Sequence, residues 1–222
     1  MTAEYVGRVR AFVFDLDGTL IDSKMDLVQS VNAMLRETGR AELPTELVAS
    51  YVGHGAPRLI ASVLGPAANE EHLREALAIF LAHYEVHKLD LTRAYPGVAE
   101  GLRALAGHSK AVLSNKPAKM SVEILEGLGL AKYFRAIYGG DSFENKKPDP
   151  SGALVILKEL GVSPAKSAMV GDSDVDIQTA RNVGMLAVHV NYGFGQHDRE
   201  KHPADVCVDS LTELPKLASN HQ

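Results

Sequence analysis

Two aspartates one residue apart, Asp15 and Asp17, stand where an apolar run ends, in the string Phe12-Val13-Phe14-Asp15-Leu16-Asp17-Gly18-Thr19. The run fits a buried strand from Ala11 to Phe14, and the glycine fits the loop that must break from its end. Asp15 then faces a pocket at the strand's carboxyl end, with Asp17 reaching over the same pocket. Two unit charges about 4 Å apart repel by roughly 4 kcal/mol at an effective dielectric of about 20. A near-buried loop keeps such a pair only if a cation or an acid–base task offsets the repulsion. The plainer alternative is a solvated, Asx-rich turn.

Three more signals each close a predicted strand. Ser114-Asn115 ends one, and Lys116-Pro117 opens a helix. A hydroxyl, free N–H groups and a helix N-terminus suit a phosphate oxygen there, although a simple N-cap explains the same residues. In Lys146-Lys147-Pro148-Asp149-Pro150 the prolines stiffen the approach to a helix and can turn a lysine toward the pocket. A solvated lysine pair is the alternative. In Gly171-Asp172-Ser173-Asp174-Val175-Asp176 the four-residue spacing puts Asp172 and Asp176 on one face as a helix begins. Paired carboxylates are hard oxygen ligands suited to Mg²⁺, and equally can be N-terminal acids favoured by the helix dipole. Together the plain readings require four coincidences, all at the carboxyl ends of parallel strands, where open α/β sheets bind ligands.

The elements that must hold these residues alternate. Strands are expected at 10–14, 110–114, 136–139, 167–171, 185–190 and 205–208, with helices at 97–106, 117–128, 150–160, 175–183 and 211–218. That alternation means βαβ units and a doubly wound parallel sheet. From Ser23 to Ala94 only helices are expected. Leu27, Val28, Val31, Met34 and Leu35 form one apolar stripe, and Leu73, Leu77, Phe80 and Tyr84 another. The expected organisation is an α/β core of 1–22 and 95–222, with a helical domain of 23–94 inserted after the first strand. Hinges are expected near Asp22-Ser23 and Ala94-Tyr95-Pro96.

Composition narrows the class. The 222 residues are 45% hydrophobic and 23% charged, ordinary for a globular protein. A net charge of −5 without a basic stripe argues against nucleic acid. One cysteine, Cys207, excludes an internal disulfide and fits a reducing compartment. It is expected buried in the last strand. Met1–Arg8 lacks the apolar stretch of a signal peptide, and no run approaches the roughly 20 residues of a membrane helix. A cytoplasmic enzyme is the expectation. His83 and His87 share a helix face at zinc-ligand spacing, but no third ligand is evident and an exposed face is expected instead. Tyr192-Gly193-Phe194-Gly195 follows a strand end and can line the pocket, with a flexible loop as the plainer reading.

Asp15-Leu16-Asp17-Gly18-Thr19, Ser114, Lys147-Pro148 and Gly171-Asp172 with Asp176 resemble the four ordered motifs of the haloacid dehalogenase superfamily. The resemblance covers nearly the whole chain. It implies a Rossmann-like doubly wound sheet with a small all-helical cap. It further implies Asp15 as nucleophile and Asp17 as general acid, then base. Mg²⁺ would be held by Asp15, Asp172 and the Asp17 backbone carbonyl, with Asp176 in support. Lys147 and Ser114 would hold phosphoryl oxygens, and Lys147 is preferred to Lys146 because the motif places its lysine directly before the proline.

Asp17 argues against the dehalogenase branch, which replaces that residue, and a phosphomonoester hydrolase remains. Within it, Asp17-Gly-Thr-Leu-Ile-Asp22-Ser23, Ser114-Asn-Lys-Pro117, Gly139-Gly-Asp-Ser142 and Lys147-Pro-Asp-Pro150 resemble phosphoglycolate phosphatases. Gly18, Thr19, Ser114, Asn115 and, in the Gly53-His54-Gly55 loop, His54 are the expected substrate contacts, with Arg58 nearby. The expected substrate is a small phosphorylated metabolite, turned over by a monomer or homodimer without nucleic acid or membrane. A pyrophosphatase, a broad sugar-phosphate phosphatase and, more distantly, a phospho-accepting regulatory module are the alternatives.

Overall fold

A computed structural model describes residues 7–218. Most of Met1–Arg8, where no leader was expected, lies outside them. Strand β1 (Ala11–Phe14) alternates cleanly: Phe12 and Phe14 enter one apolar cluster, Ala11 and Val13 the other. Successive strand side chains point to opposite faces, so four residues bind two helical layers to one sheet. After β1 come the two-residue strand β2 (Ile21–Asp22) and helices α1 (Lys24–Glu37), α2 (Thr45–Ala49), α3 (Ala56–Leu64) and α4 (Glu70–His87). The chain returns through β3 (Arg93–Ala94) and α5 (Val98–Ala104). It continues as β4 (Ser109–Leu113), α6 (Ala118–Gly127), β5 (Ala136–Tyr138), α7 (Ser151–Leu160), β6 (Ser167–Gly171), α8 (Asp174–Val183), β7 (Leu186–Val190) and β8 (Val206–Val208).

Six strands form one parallel sheet in the order β5-β4-β1-β6-β7-β8. Val98, Leu102, Ile124, Leu125, Leu211 and Leu214 cover one face; Ala153, Ile156, Leu157, Ile177 and Ala180 cover the other. The order reverses at β1, so the loops after β1, β4 and β6 diverge around one crevice. Such a switch point is where a doubly wound sheet binds its ligand.

The helices between β2 and β3 bury a third cluster of their own, including Leu27, Val31, Met34, Leu59, Ile60, Phe80 and Tyr84, with Met120 of α6 packed into it. The two passages into and out of this segment are tied together. β2 pairs antiparallel with β3, Ile21 opposite Ala94 and Asp22 opposite Arg93. Asp26 is buried and accepts from the Leu91 and Thr92 N–H groups and the Thr92 hydroxyl at 2.7–3.1 Å. A buried carboxylate with that many donors holds the segment's neck as a charge-assisted knot. The β2–β3 pair went unanticipated because two-residue strands carry no periodicity.

Two expectations need correction. Cys207 is exposed, because alternation along β8 sends Val206 and Val208 inward and the cysteine out. The expected helix at 211–218 is a 3₁₀ helix, Leu211–Lys216, with Pro215 inside it. Proline lacks the N–H that an α-helix would need there. No helix among the described residues is long and apolar enough to cross a membrane.

Candidate active site

The loop after β1 is built on one carbonyl. Leu16 O accepts from the N–H groups of Thr19, Leu20 and Ile21, while the Leu16 side chain is wholly buried in the core. That winding turns Asp15 and Asp17 away from the core and toward the crevice. Gly18 has φ +83°, and a Cβ there would sit 1.9 Å from Asp172 Oδ2. Only glycine lets this loop approach the end of β6 so closely.

Lys147 arrives from the loop before α7. Its ammonium lies 2.7 Å from Asp15 Oδ1 and 2.7 Å from Asp176 Oδ1. Asn115 fixes the lysine's backbone from both sides: its amide accepts from Lys147 N–H at 3.0 Å and donates to Lys147 O at 3.1 Å. The same amide nitrogen donates to Gly53 O at 2.9 Å, tying the α2–α3 loop to the core. Asp176 also accepts from the Ser173 N–H and hydroxyl, closing a capping box at the start of α8. One carboxylate thus caps a helix and holds the lysine.

Asp15, Asp172 and Asp176 can each offer an oxygen within 4.8 Å of the others, and all three are buried. Burial raises the Asp15 carboxyl to about 7 against the pull of Lys147, with Asp176 and Asp17 adding to the rise. Burial, then Asp176 and Asp15, holds Asp172 well above the usual carboxylate range. One ammonium does not balance this set. Three hard oxygen donors with surplus negative charge fit a small divalent cation.

Asp172 is held by groups to which sequence reasoning gave other roles. It accepts from the Gly195 N–H at 2.6 Å and the Thr19 hydroxyl at 3.5 Å. A Cβ on Gly193 would fall 2.2 Å from the Asp172 Cβ, so the Tyr192–Gly195 loop lies directly on that residue. Tyr192 pins the loop by donating to Thr19 O at 2.8 Å. The glycine spacing after a predicted strand was the available signal.

Asp17 points elsewhere. Its carboxylate accepts from Lys116 Nζ at 2.8 and 3.0 Å and from the Ser23 hydroxyl at 2.5 Å. Burial works against the Lys116 charge, but Asp17 outweighs it and keeps the lysine protonated. A lysine at the start of a helix opposes the helix dipole, which was a readable hint that Lys116 has an acidic partner.

Above these residues is a pocket of about 50 Å³ lined by Asp15, Asp17, Ser114 and Lys116 below and by Leu59, Phe80 and Tyr84 above. At roughly 10–15 Å³ for each water-sized sphere, it has room for a ligand of a few heavy atoms. Of the expected substrate contacts, Gly18, Thr19 and His54 are not on its wall. The Gly18 N–H donates to Ile21 O and the Thr19 N–H to Leu16 O, so neither is free for a ligand. The Thr19 hydroxyl serves Asp172 instead. Asn115 does line the pocket, but its amide is spent on Lys147 and Gly53. His54 is exposed while its neighbours Gly53 and Gly55 line the pocket. Ser114 is buried and lies on the wall. His83 and His87 are half-buried, not on the exposed face expected, and direct Nδ1 to Ser30 and Asp90.

Comparison with known proteins places this geometry among relatives. The family model described as haloacid dehalogenase-like hydrolase matches residues 12–190. A phosphoglycolate phosphatase of Pseudomonas syringae pv. tomato is 39% identical over 214 residues, covering 92% of this chain and 78% of its own length. One of Neisseria meningitidis serogroup A is 40% identical over 220 residues, covering 94% and 93%. A crystal structure described as a predicted phosphoglycolate phosphatase from Haemophilus somnus superposes with a TM-score of 0.89 at 29% identity, over 95% of this chain and 98% of that one.

Proposed function

The chain belongs to the haloacid dehalogenase-like hydrolases, and on that premise we propose that it is a phosphatase that hydrolyses 2-phosphoglycolate to glycolate and phosphate. The observation that carries the reading is the group of three buried carboxylates around the Lys147 ammonium at the switch point of the sheet. The names of the relatives supply the substrate.

Asp15 is the nucleophile. Its carboxylate oxygen attacks phosphorus, the ester P–O bond breaks, and an aspartyl-phosphate forms. Asp17 gives a proton to the leaving alkoxide and later takes one from the water that attacks the same phosphorus. Phosphate leaves and the Asp15 carboxylate is restored. Lys147 and the Ser114 hydroxyl steady the phosphoryl oxygens as charge develops on them. Asp15, Asp172 and Asp176, with the Asp17 backbone carbonyl, would hold Mg²⁺, whose positive charge would offset repulsion between carboxylate and phosphate. Residues 23–94 act as a cap over the core of 1–22 and 95–222, excluding water, and the β2–β3 pair is where it would hinge. The exposed, lone Cys207 thiol suits a reducing compartment such as the cytoplasm. Nothing in the reading requires more than a monomer or homodimer.

Two measurements test it. On a panel of 2-phosphoglycolate, pyrophosphate and sugar phosphates, kcat/KM for phosphoglycolate is expected to lead by at least about tenfold, or 1.4 kcal/mol. A smaller lead would favour a broad-specificity phosphatase. The second concerns the cation. An acid whose folded-state pKa is raised binds more protons folded than unfolded, so its contribution to stability falls as pH rises. For Asp15 that loss runs from the ordinary carboxylate value of 3.8 to about 7 in metal-free protein. A cation partners the ionised carboxylates, so Mg²⁺ should raise the thermal midpoint more near pH 7.5 than near pH 5. Equal shifts at both pH values, or none, would remove the cluster as a cation site.

A further inference from the structure

Two donors on the pocket wall have no part in the phosphoryl chemistry above. Tyr84, on the inner face of α4, is 1% exposed and lines the pocket, yet its hydroxyl proton has no acceptor among the described residues: the group turned to it is the Lys116 ammonium, itself a donor. Buried tyrosine hydroxyls ordinarily find one. Burial lifts the phenol to about 12, so the group keeps its proton and remains a donor. Lys116, 6% exposed at the mouth of α6, places Nζ 4.6 Å from the centre of the Tyr84 ring. Of its three N–H groups, two serve the oxygens of Asp17. Among the residues lining this pocket it is the one cation. The rest of the upper wall is apolar: Leu27, Val52, Leu59, Phe80 and Met120.

We propose that Lys116 and Tyr84 form a subsite for a second oxyanion of the substrate, the carboxylate of a small phosphorylated acid, beside the phosphoryl site at Asp15 and Lys147. The proposal rests on the phosphatase reading and deepens it. It gives the orphaned hydroxyl an acceptor and the buried lysine a second anion. A carboxylate there competes with Asp17 for the ammonium, so the substrate that fills the subsite also loosens the acid–base carboxylate from its resting pair. A phosphomonoester without a second anion leaves that pair in place. Selectivity for a carboxylated ester therefore comes from a residue on the inserted helices and another on the core, both required at once.

The test is the ratio of kcat/KM for 2-phosphoglycolate to that for ethyl phosphate, measured on one preparation so that the folded fraction cancels. Tyr84→Phe removes one oxygen and keeps the ring beside Lys116; Lys116→Gln removes the cation. Each is expected to lower the ratio at least about tenfold, chiefly through KM for phosphoglycolate. A wild-type preference that both variants leave within twofold overturns the subsite and leaves the phosphoglycolate reading standing. If the wild type prefers a phosphomonoester with another second oxyanion, and both variants erase that preference, the subsite stands and phosphoglycolate falls. A wild type that turns over ethyl phosphate as well as every other ester overturns both.

Discussion

Asp15→Asn is expected to lower kcat by about 10⁴-fold or more on every phosphomonoester, with the fold retained. An amide oxygen is a poor nucleophile, and loss of the attacking group costs as much as loss of the whole catalytic set that works with it. The fold should survive because Asp15 is a buried acid raised to about 7 whose ionised form costs stability. The amide keeps its size and can still meet the Lys147 ammonium through its oxygen. Stability near neutral pH is expected to match or exceed that of the parent in metal-free buffer, which thermal unfolding would reveal. Turnover within about tenfold of the parent would remove Asp15 as nucleophile.

For Asp17→Asn the expected loss is smaller and differently placed. Proton transfer by a positioned side chain contributes about 10²–10⁴-fold, and Asp17 is assigned it twice. With p-nitrophenyl phosphate the leaving phenolate needs no proton, so phosphorylation of Asp15 should persist while hydrolysis of the phosphoenzyme slows. The result is a burst of about one nitrophenolate per active site followed by turnover roughly 10³-fold below the parent. The substitution also leaves Lys116 without its anion, while Ser23 keeps an acceptor. Undiminished steady turnover would refute the acid–base role.

How much of this was legible in the chain depended on distance along it. The Phe12–Phe14 run, the Gly171-Asp172 step and the Lys147-Pro148 pair are local patterns, each confined to a strand end and its loop, and local period and turn chemistry suffice to read them. The parallel sheet followed from their alternation with helices. What the chain withheld is pairing across long separations. Lys116 and Asp17 are 99 residues apart, and Thr19 and Asp172 are 153 apart. No period or cap signal links such partners. Tyr84 sat in an apolar stripe as one more bulky residue, and only the packed pocket sets its hydroxyl apart. Gly18 was read as a turn glycine and an expected substrate contact. Its missing Cβ in fact makes room for Asp172, and its N–H belongs to the turn. Asn115 shows the same displacement: a polar residue at the right strand end, spent on holding Lys147 in place.

The central claim is that a phosphoryl group passes through Asp15. The direct measurement is to mix Asp17→Asn enzyme with Mg²⁺ and p-nitrophenyl phosphate, quench in acid during the burst, and locate the added phosphoryl mass by peptide mapping. The account predicts one phosphoryl group per chain, on the peptide bearing Asp15 and absent when Asp15→Asn is added to the same variant. A quantitative burst with no phosphoryl group on that peptide would contradict it.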